Sequence, residues 1–250
     1  MKFKSDLFDL LEEKAKFYNQ PSFISSDPVS IPHQFSRKED IEIAGFFAAT
    51  IAWGNRQMII KNGKKLMQLM EHAPHQFVLD YTPRDLEFVH RTFNAVDLDF
   101  FLRALQHIYK NSDLEQTFTR QQPSDTIKDR IVHFRTTFLD LPHEKRSEKH
   151  LSNPLKNAAC KRINMYLRWM VRPSQKGVDF GIWKSITPAE LYLPLDVHTS
   201  RHARNLGLLT RKQDDWKALE EVMLHLRKLD ANDPVKYDFA LFGIGAFEQL

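Results

Sequence analysis

Cysteine is nearly missing from this chain. Cys160 is the single one in 250 residues, which excludes an internal disulfide and a four-cysteine iron–sulfur cluster. A small buried hydrophobe is the expected role for a thiol placed beside Lys161. Long apolar runs are missing too. No stretch approaches the roughly 20 residues of a membrane-spanning helix, and no secretory leader is visible, so the expected compartment is the cytoplasm, without a membrane partner. Only 8 glycines and few alternating segments argue against an all-β fold. Neither charge sign dominates: 36 Lys and Arg face 32 Asp and Glu, a formal +4. Nucleic-acid contact would therefore have to come from a local patch. No HExxH is present. His198 and His202 have the i, i+4 spacing of two metal ligands with Asp196 nearby, but a matched third ligand is not evident, so neither a metal nor another cofactor is expected.

What is present suits a helical protein with a core: 42% hydrophobic and 27% charged residues. Apolar residues at helical spacing predict helices over 5–18, 38–52, 57–70, 85–101, 102–110, 124–139, 158–172, 197–206 and 214–229, with a last one opening at Asp233-Pro234. The prolines of 20–33 predict a loop. The expected fold is all-α, one monomeric domain over 1–250 whose length allows either one large body or two small lobes. Taken as two lobes, a central one spans 35–150 and a second is made of 1–34 with 151–250.

The most informative stretch runs from Cys160 to Arg204. In 158–172 an apolar face (Ala159, Ile163, Tyr166, Met170) accompanies a partly basic one (Lys161, Met165, Arg168, Arg172). Lys161 reads either as a solvated lysine or as an amine facing a cleft, where Arg162, Arg168 and Arg172 favour its neutral, nucleophilic form. Asp196, after Pro194-Leu195, sits where the next helix needs an N-cap. It reads as a plain cap, or as a fixed carboxylate able to activate a nucleophile or stabilise a developing cation. Lys161 and Asp196 lie 35 positions apart, so only tertiary structure can bring them together. Bases greatly outnumber acids from Lys145 to Lys184, which reads as a phosphate-binding surface or as a solubilising one.

The stretch from Pro194 to Leu208, PLDVHTSRHARNLGL, resembles the PVDTHVxRVxxRLGL segment of the helix-hairpin-helix DNA glycosylase superfamily. The resemblance implies that Asp196 is catalytic. It also implies that Lys161, in Cys160-Lys161-Arg162, is the nucleophilic lysine of bifunctional members, placed just inside the second hairpin helix. The hairpin itself departs from the pattern. The family reads about LPGVGxKTA, whereas residues 151–161 here contain no Gly-x-Gly, the element that lets a backbone approach a DNA phosphate closely. The lysine-to-aspartate spacing is nearer to that of an archaeal branch that removes 8-oxoguanine. The chain also resembles, over nearly its whole length, a conserved bacterial family sharing CKRxNMxLRWMVR, PLDxHT and DPVKYDFALFG; that likeness implies no activity.

The glycosylase resemblance implies further roles. Trp53, Asn55, Arg56 and Gln57 stand where these enzymes place a loop that fills the gap left by a flipped base; the plainer reading is a helix–helix turn with Gly54 at its cap. Arg162, Arg168, Arg172, His198 and Arg201 are the expected DNA contacts. Asp179, Phe180 and Trp183 are candidates for a base pocket, with core packing the plainer role for Trp183. The expectation is a base-excision glycosylase with possible AP-lyase activity, acting on damaged double-stranded DNA, with an oxidised purine as the substrate suggested by analogy. The alternatives are a non-catalytic DNA- or RNA-binding protein that keeps the fold, and a helical module with no nucleic-acid partner.

Overall fold

A computed structural model describes residues 2–245, with side chains from residue 6 onward. The chain is mostly helical, with one two-stranded antiparallel sheet among the described residues. It divides into two compact units, 24–153 and 1–23 with 154–250.

In the unit formed by 24–153, the buried helix is α2 (Lys38–Thr50), whose residues from Ile41 to Thr50 are all buried. A helix apolar on every side must lie inside. The Phe46 ring packs 5.3–5.9 Å from Phe101, Phe134 and Phe138. The buried Glu42 accepts from the Tyr109 hydroxyl at 2.8 Å and pairs with Lys38. Around it lie α3 (Arg56–Leu69), α4 (Pro74–Leu79), α5 (Ala95–Asn111), α6 (Leu114–Thr117) and α7 (Ile127–Phe138).

The helices expected over 85–101 and 102–110 are not the ones formed. β1 (Val89–His90) and β2 (Phe93–Asn94) make a short hairpin, and a single helix, α5, follows it. Asn94 and Asp97 form a capping box that starts α5 at Ala95. Phe88, just before β1, and Phe93, on β2, are both buried, a geometry that their spacing mimicked as a helix face.

In the other unit, α1 (Lys2–Tyr18) lies along α11 (Tyr237–Gly243). A Cβ at Gly243 would sit 2.1 Å from the Tyr18 ring, so the glycine permits this approach. The remaining helices are α8 (Lys161–Val171), α9 (Val197–Asn205) and α10 (Trp216–Leu229). α8 starts at Lys161 and not at Ala158. Asn157 (φ 61°) and Cys160 (φ 51°) are both left-handed, which ends any helical run before Lys161. Ala159 therefore lies outside the helical face it was expected to join. The Pro234 proline opens a 3-10 turn, Pro234–Lys236, that leads into α11. Among the described residues no helix is long and apolar enough to cross a membrane.

Candidate active site

Lys161 is the first residue of α8, and Asp196 is the N-cap of α9. Lys161 Nζ lies 3.3 Å from Asp196 Oδ2. The two carboxylate oxygens divide their work. Oδ1 accepts the Thr199 backbone N–H at 2.8 Å, which is the cap, and Oδ2 faces the lysine. The carboxylate is thus fixed by backbone geometry while one oxygen stays available for chemistry. Burial pushes the Asp196 carboxyl up, but the Lys161 charge and the Thr199 N–H outweigh it and hold it below its ordinary value. Lys161 keeps 35% and Asp196 15% of their side-chain surface accessible, so a solute can reach the pair.

The same face of α8 continues inward as a run of paired charges. Arg168, two turns on from Lys161, hydrogen-bonds Asp238 of α11 through Nη1 and lies 3.3 Å from Asp179 through Nε. Arg172, one turn further, bonds Asp179 through Nη1 and takes both oxygens of Asp233, at 2.9 and 2.8 Å. Both arginines and Asp179 are buried. Each guanidinium also lies over the Phe239 ring, 4.4 Å away for Arg168 and 5.5 Å for Arg172. The run comprises Lys161, Arg168 and Arg172 against Asp196, Asp238, Asp179 and Asp233, three cations facing four carboxylates. The charges of Arg168, Arg172, Asp179 and Asp238, all buried, persist only when paired and hydrogen-bonded.

This arrangement corrects several expected roles. Arg168 and Arg172 are internal and neutralised by carboxylates, so they are not available to DNA phosphates. Asp179 serves those two arginines and does not line a base pocket. Trp183 is 1% exposed, donates its backbone N–H to Met170, and packs edge-on against Tyr166 at 5.4 Å; it is a core residue. Phe180 is half-buried, its N–H donating to the Trp169 carbonyl. Arg162 is half-buried, and burial lowers its pKa to about 10. His198 and Arg201 are exposed on α9, the helix that Asp196 caps, together with Val197. His202, one turn beyond His198, is buried instead, and burial lowers its pKa.

Trp53, Asn55, Arg56 and Gln57 belong to the 24–153 unit. Trp53 is half-buried, edge-on to His90 at 4.9 Å, and its carbonyl faces His90 Nε2 at 3.2 Å. Asn55 caps α3, its Oδ1 accepting the Met58 N–H at 3.1 Å. Arg56 begins α3 half-buried, and Gln57 is exposed. Gly54 has φ 98°, and a Cβ there would lie 2.6 Å from Arg91 Nη1, so this loop and the β1–β2 hairpin approach closely.

Sequence reading missed Asp233 and Asp238. A signal existed: Arg168 and Arg172 lie four apart among the apolar residues Trp169, Met170 and Val171, where buried guanidinium groups need carboxylates, and Asp238 interrupts the apolar helix Tyr237–Gly243. Asn157 was also missed. It stands where the quoted hairpin pattern has its first glycine, and its backbone is left-handed there. Its side chain donates to Asp215 Oδ2 at 2.7 Å, and its carbonyl accepts from Trp216 N at 2.9 Å.

No curated protein and no solved structure matches the chain. A family model described as "Protein of unknown function (DUF2400)" matches residues 27–247. With nearly the whole length covered by that match, the chain belongs to the DUF2400 family.

Proposed function

We propose that the protein is a DNA base-excision glycosylase with lyase activity, of the helix-hairpin-helix glycosylase type, and that Lys161 and Asp196 are its catalytic residues. The observation that carries this reading is the 3.3 Å approach of an accessible amine to a capped, ionised carboxylate, from positions far apart in the chain. A nucleophile needs a base within hydrogen-bonding reach, and the base needs a third group to orient it. Here Asp196 is the base and the Thr199 N–H orients it.

In this mechanism Asp196 takes one proton from the Lys161 ammonium. The amine then attacks the sugar C1′. The Nζ–C1′ bond forms as the bond from C1′ to the base breaks. The departing base keeps the bonding pair and takes the proton held by Asp196. The C1′–O4′ bond then opens, O4′ takes a proton from nitrogen, and a protonated Schiff base remains. Asp196, ionised again, stabilises that cation. His198 and Arg201, exposed beside the cap, are the DNA contacts nearest in sequence to Asp196. Asn157 supports the hairpin assignment. Among non-glycine residues asparagine is one of the few that tolerate the left-handed region, so the turn is made without the glycine.

Borohydride trapping on duplexes carrying oxidised purines or abasic sites tests the reading. Wild type is expected to form a covalent adduct and Lys161→Gln none. No wild-type adduct, or one that persists in Lys161→Gln, overturns it. The second reading, a nucleic-acid-binding protein without catalysis, is favoured by the missing hairpin glycines and by the removal of Arg168 and Arg172 from the surface. It predicts salt-sensitive binding without base release.

A further inference from the structure

A cleft of about 280 Å³ opens beside the end of α8 that lies away from Lys161. We propose that this cleft binds the phosphate group of a small molecule, inorganic phosphate or a phosphate monoester, and that Lys16, Lys176 and Arg172 hold it. The 11 residues of α8 rise about 1.5 Å each, so Lys161 and the cleft stand at opposite ends of a rod about 16 Å long. The site is therefore separate from the Lys161–Asp196 pair and does not depend on the glycosylase reading.

Three segments of the unit formed by 1–23 and 154–250 wall the cleft. The second half of α1 brings Glu12 and Lys16. The end of α8 brings Arg172, and the 3-10 turn Ser174–Lys176 brings Lys176. Asp233 and Lys236 come from the turn before α11. Cations in this lining outnumber carboxylates four to two, and both carboxylates are already committed. Glu12 accepts from the Tyr237 hydroxyl and pairs with Lys236, each at 2.6 Å. Asp233 takes Arg172 with both oxygens. Lys16 and Lys176 are exposed and have no partner among the described residues. Arg172 is 4% exposed and donates three hydrogen bonds, to Asp179 and Asp233. A guanidinium has more N–H donors than that, and those left over meet no acceptor among the described residues.

Like charges gathered around a concavity repel one another and focus a positive potential into it. An anion relieves that repulsion. A phosphate monoester carries about −1.5 to −2 charge and three strong acceptor oxygens. That matches two unpartnered ammonium groups together with the spare N–H groups of a fixed guanidinium, donors that bond phosphate oxygens strongly. The side-chain amides of Asn19 and Gln175, also in the lining and without partners among the described residues, add neutral donors. A metal cation would meet four positive groups and no uncommitted carboxylate. A duplex fits less well, because its phosphates form a convex surface, whereas these groups line a concave one with Glu12 and Asp233 fixed among them.

Calorimetric titration of the full chain with inorganic phosphate, at an ionic strength held constant with chloride, tests the site. Saturable binding at a single site is expected. Lys16→Gln combined with Lys176→Gln removes two exposed groups that hold nothing else, and should weaken binding by about tenfold or more, as loss of charge-assisted hydrogen bonds does. Lys217→Gln, on the exposed side of α10, should leave it unchanged. A second measurement maps the site directly: phosphate should slow acetylation of Lys16 and Lys176 by acetic anhydride, read by mass spectrometry, and not that of Lys217. Phosphate that does not saturate, that binds the double variant as tightly as wild type, or that protects all three lysines alike overturns the proposal. So does a short DNA duplex that displaces phosphate from wild type, which would assign the cleft to a nucleic-acid backbone. Absence of any borohydride adduct would refute the glycosylase reading and leave the phosphate titration to judge this site.

Discussion

Lys161 Nζ stands 3.3 Å from Asp196 Oδ2, and the other oxygen of the same carboxylate caps α9 through the Thr199 N–H. One aspartate therefore holds a helix and faces an amine at once. The cap and the proposed chemistry can be separated by substitution, because the cap needs an oxygen acceptor and the proposed chemistry needs a charge.

Asp196→Asn keeps the cap and removes the charge. Its stability should lie within a few tenths of a kcal/mol of wild type, whereas Asp196→Ala should lose ~1 kcal/mol through the missing cap. Both should reduce Schiff-base trapping by roughly 10²–10⁴-fold, the range for loss of a general base. Urea unfolding and trapping on the same samples check the split. Equal stability of Asn and Ala variants would contradict the capping role.

Asp179 is buried between Arg168 and Arg172. Asp179→Ala leaves two buried guanidinium groups short of a partner and should cost about 3–5 kcal/mol, as breaking a buried ion pair does. Chemical denaturation measures it. A cost near that of an exposed pair, below about 1 kcal/mol, would show that the arginines find water instead.

Stability should also report the Asp238 carboxyl. Its pKa is about 6 in the folded protein and about 4 for an ordinary aspartate in the unfolded chain. Between those values the folded state keeps a proton that the unfolded state has released. Stability contributed by this group is therefore present below about pH 4 and is lost as pH rises through about 6. Relative to Asp238→Asn, which cannot release that proton, wild type should lose on the order of 2–3 kcal/mol across the window. Urea midpoints collected between pH 4.5 and 7 for both proteins give the comparison. Parallel curves would place the carboxyl outside this range.

Asn157 is left-handed and tied to Asp215. Asn157→Gly keeps the backbone conformation and loses the side-chain hydrogen bond. Asn157→Ala loses the bond and adds a left-handed penalty of about 1–2 kcal/mol. Alanine should therefore be the less stable of the two variants by roughly that amount, measured by thermal or urea unfolding. The reverse order would mean that the turn relaxes to a different backbone.

Much of the helical plan was legible because it depends on local periodicity. The apolar residues of α2, α7 and α10 repeat at helical spacing, and Asp196 announces the start of α9. The hairpin before α5 was not legible. Phe88, Phe93 and Phe100 all point to the core, and burial alone does not distinguish strand from helix over so short a span. The start of α8 was not legible either, since Asn157 and Cys160 are ordinary residues with a left-handed backbone, and the Asp215 and Trp216 that Asn157 meets lie far along the chain.

By itself the sequence determined a helical protein and the cap that fixes Asp196. Those follow from side-chain type and from contacts within a few residues. Only the tertiary structure decided which charges meet. Arg168, Arg172 and Lys161 look alike in the sequence, and what separates them is the partner each finds on distant segments: Asp238 and Asp179 for Arg168, Asp179 and Asp233 for Arg172, Asp196 for Lys161. Electrostatic energy depends on distance in space and on burial, and neither is written in the spacing of residues along the chain.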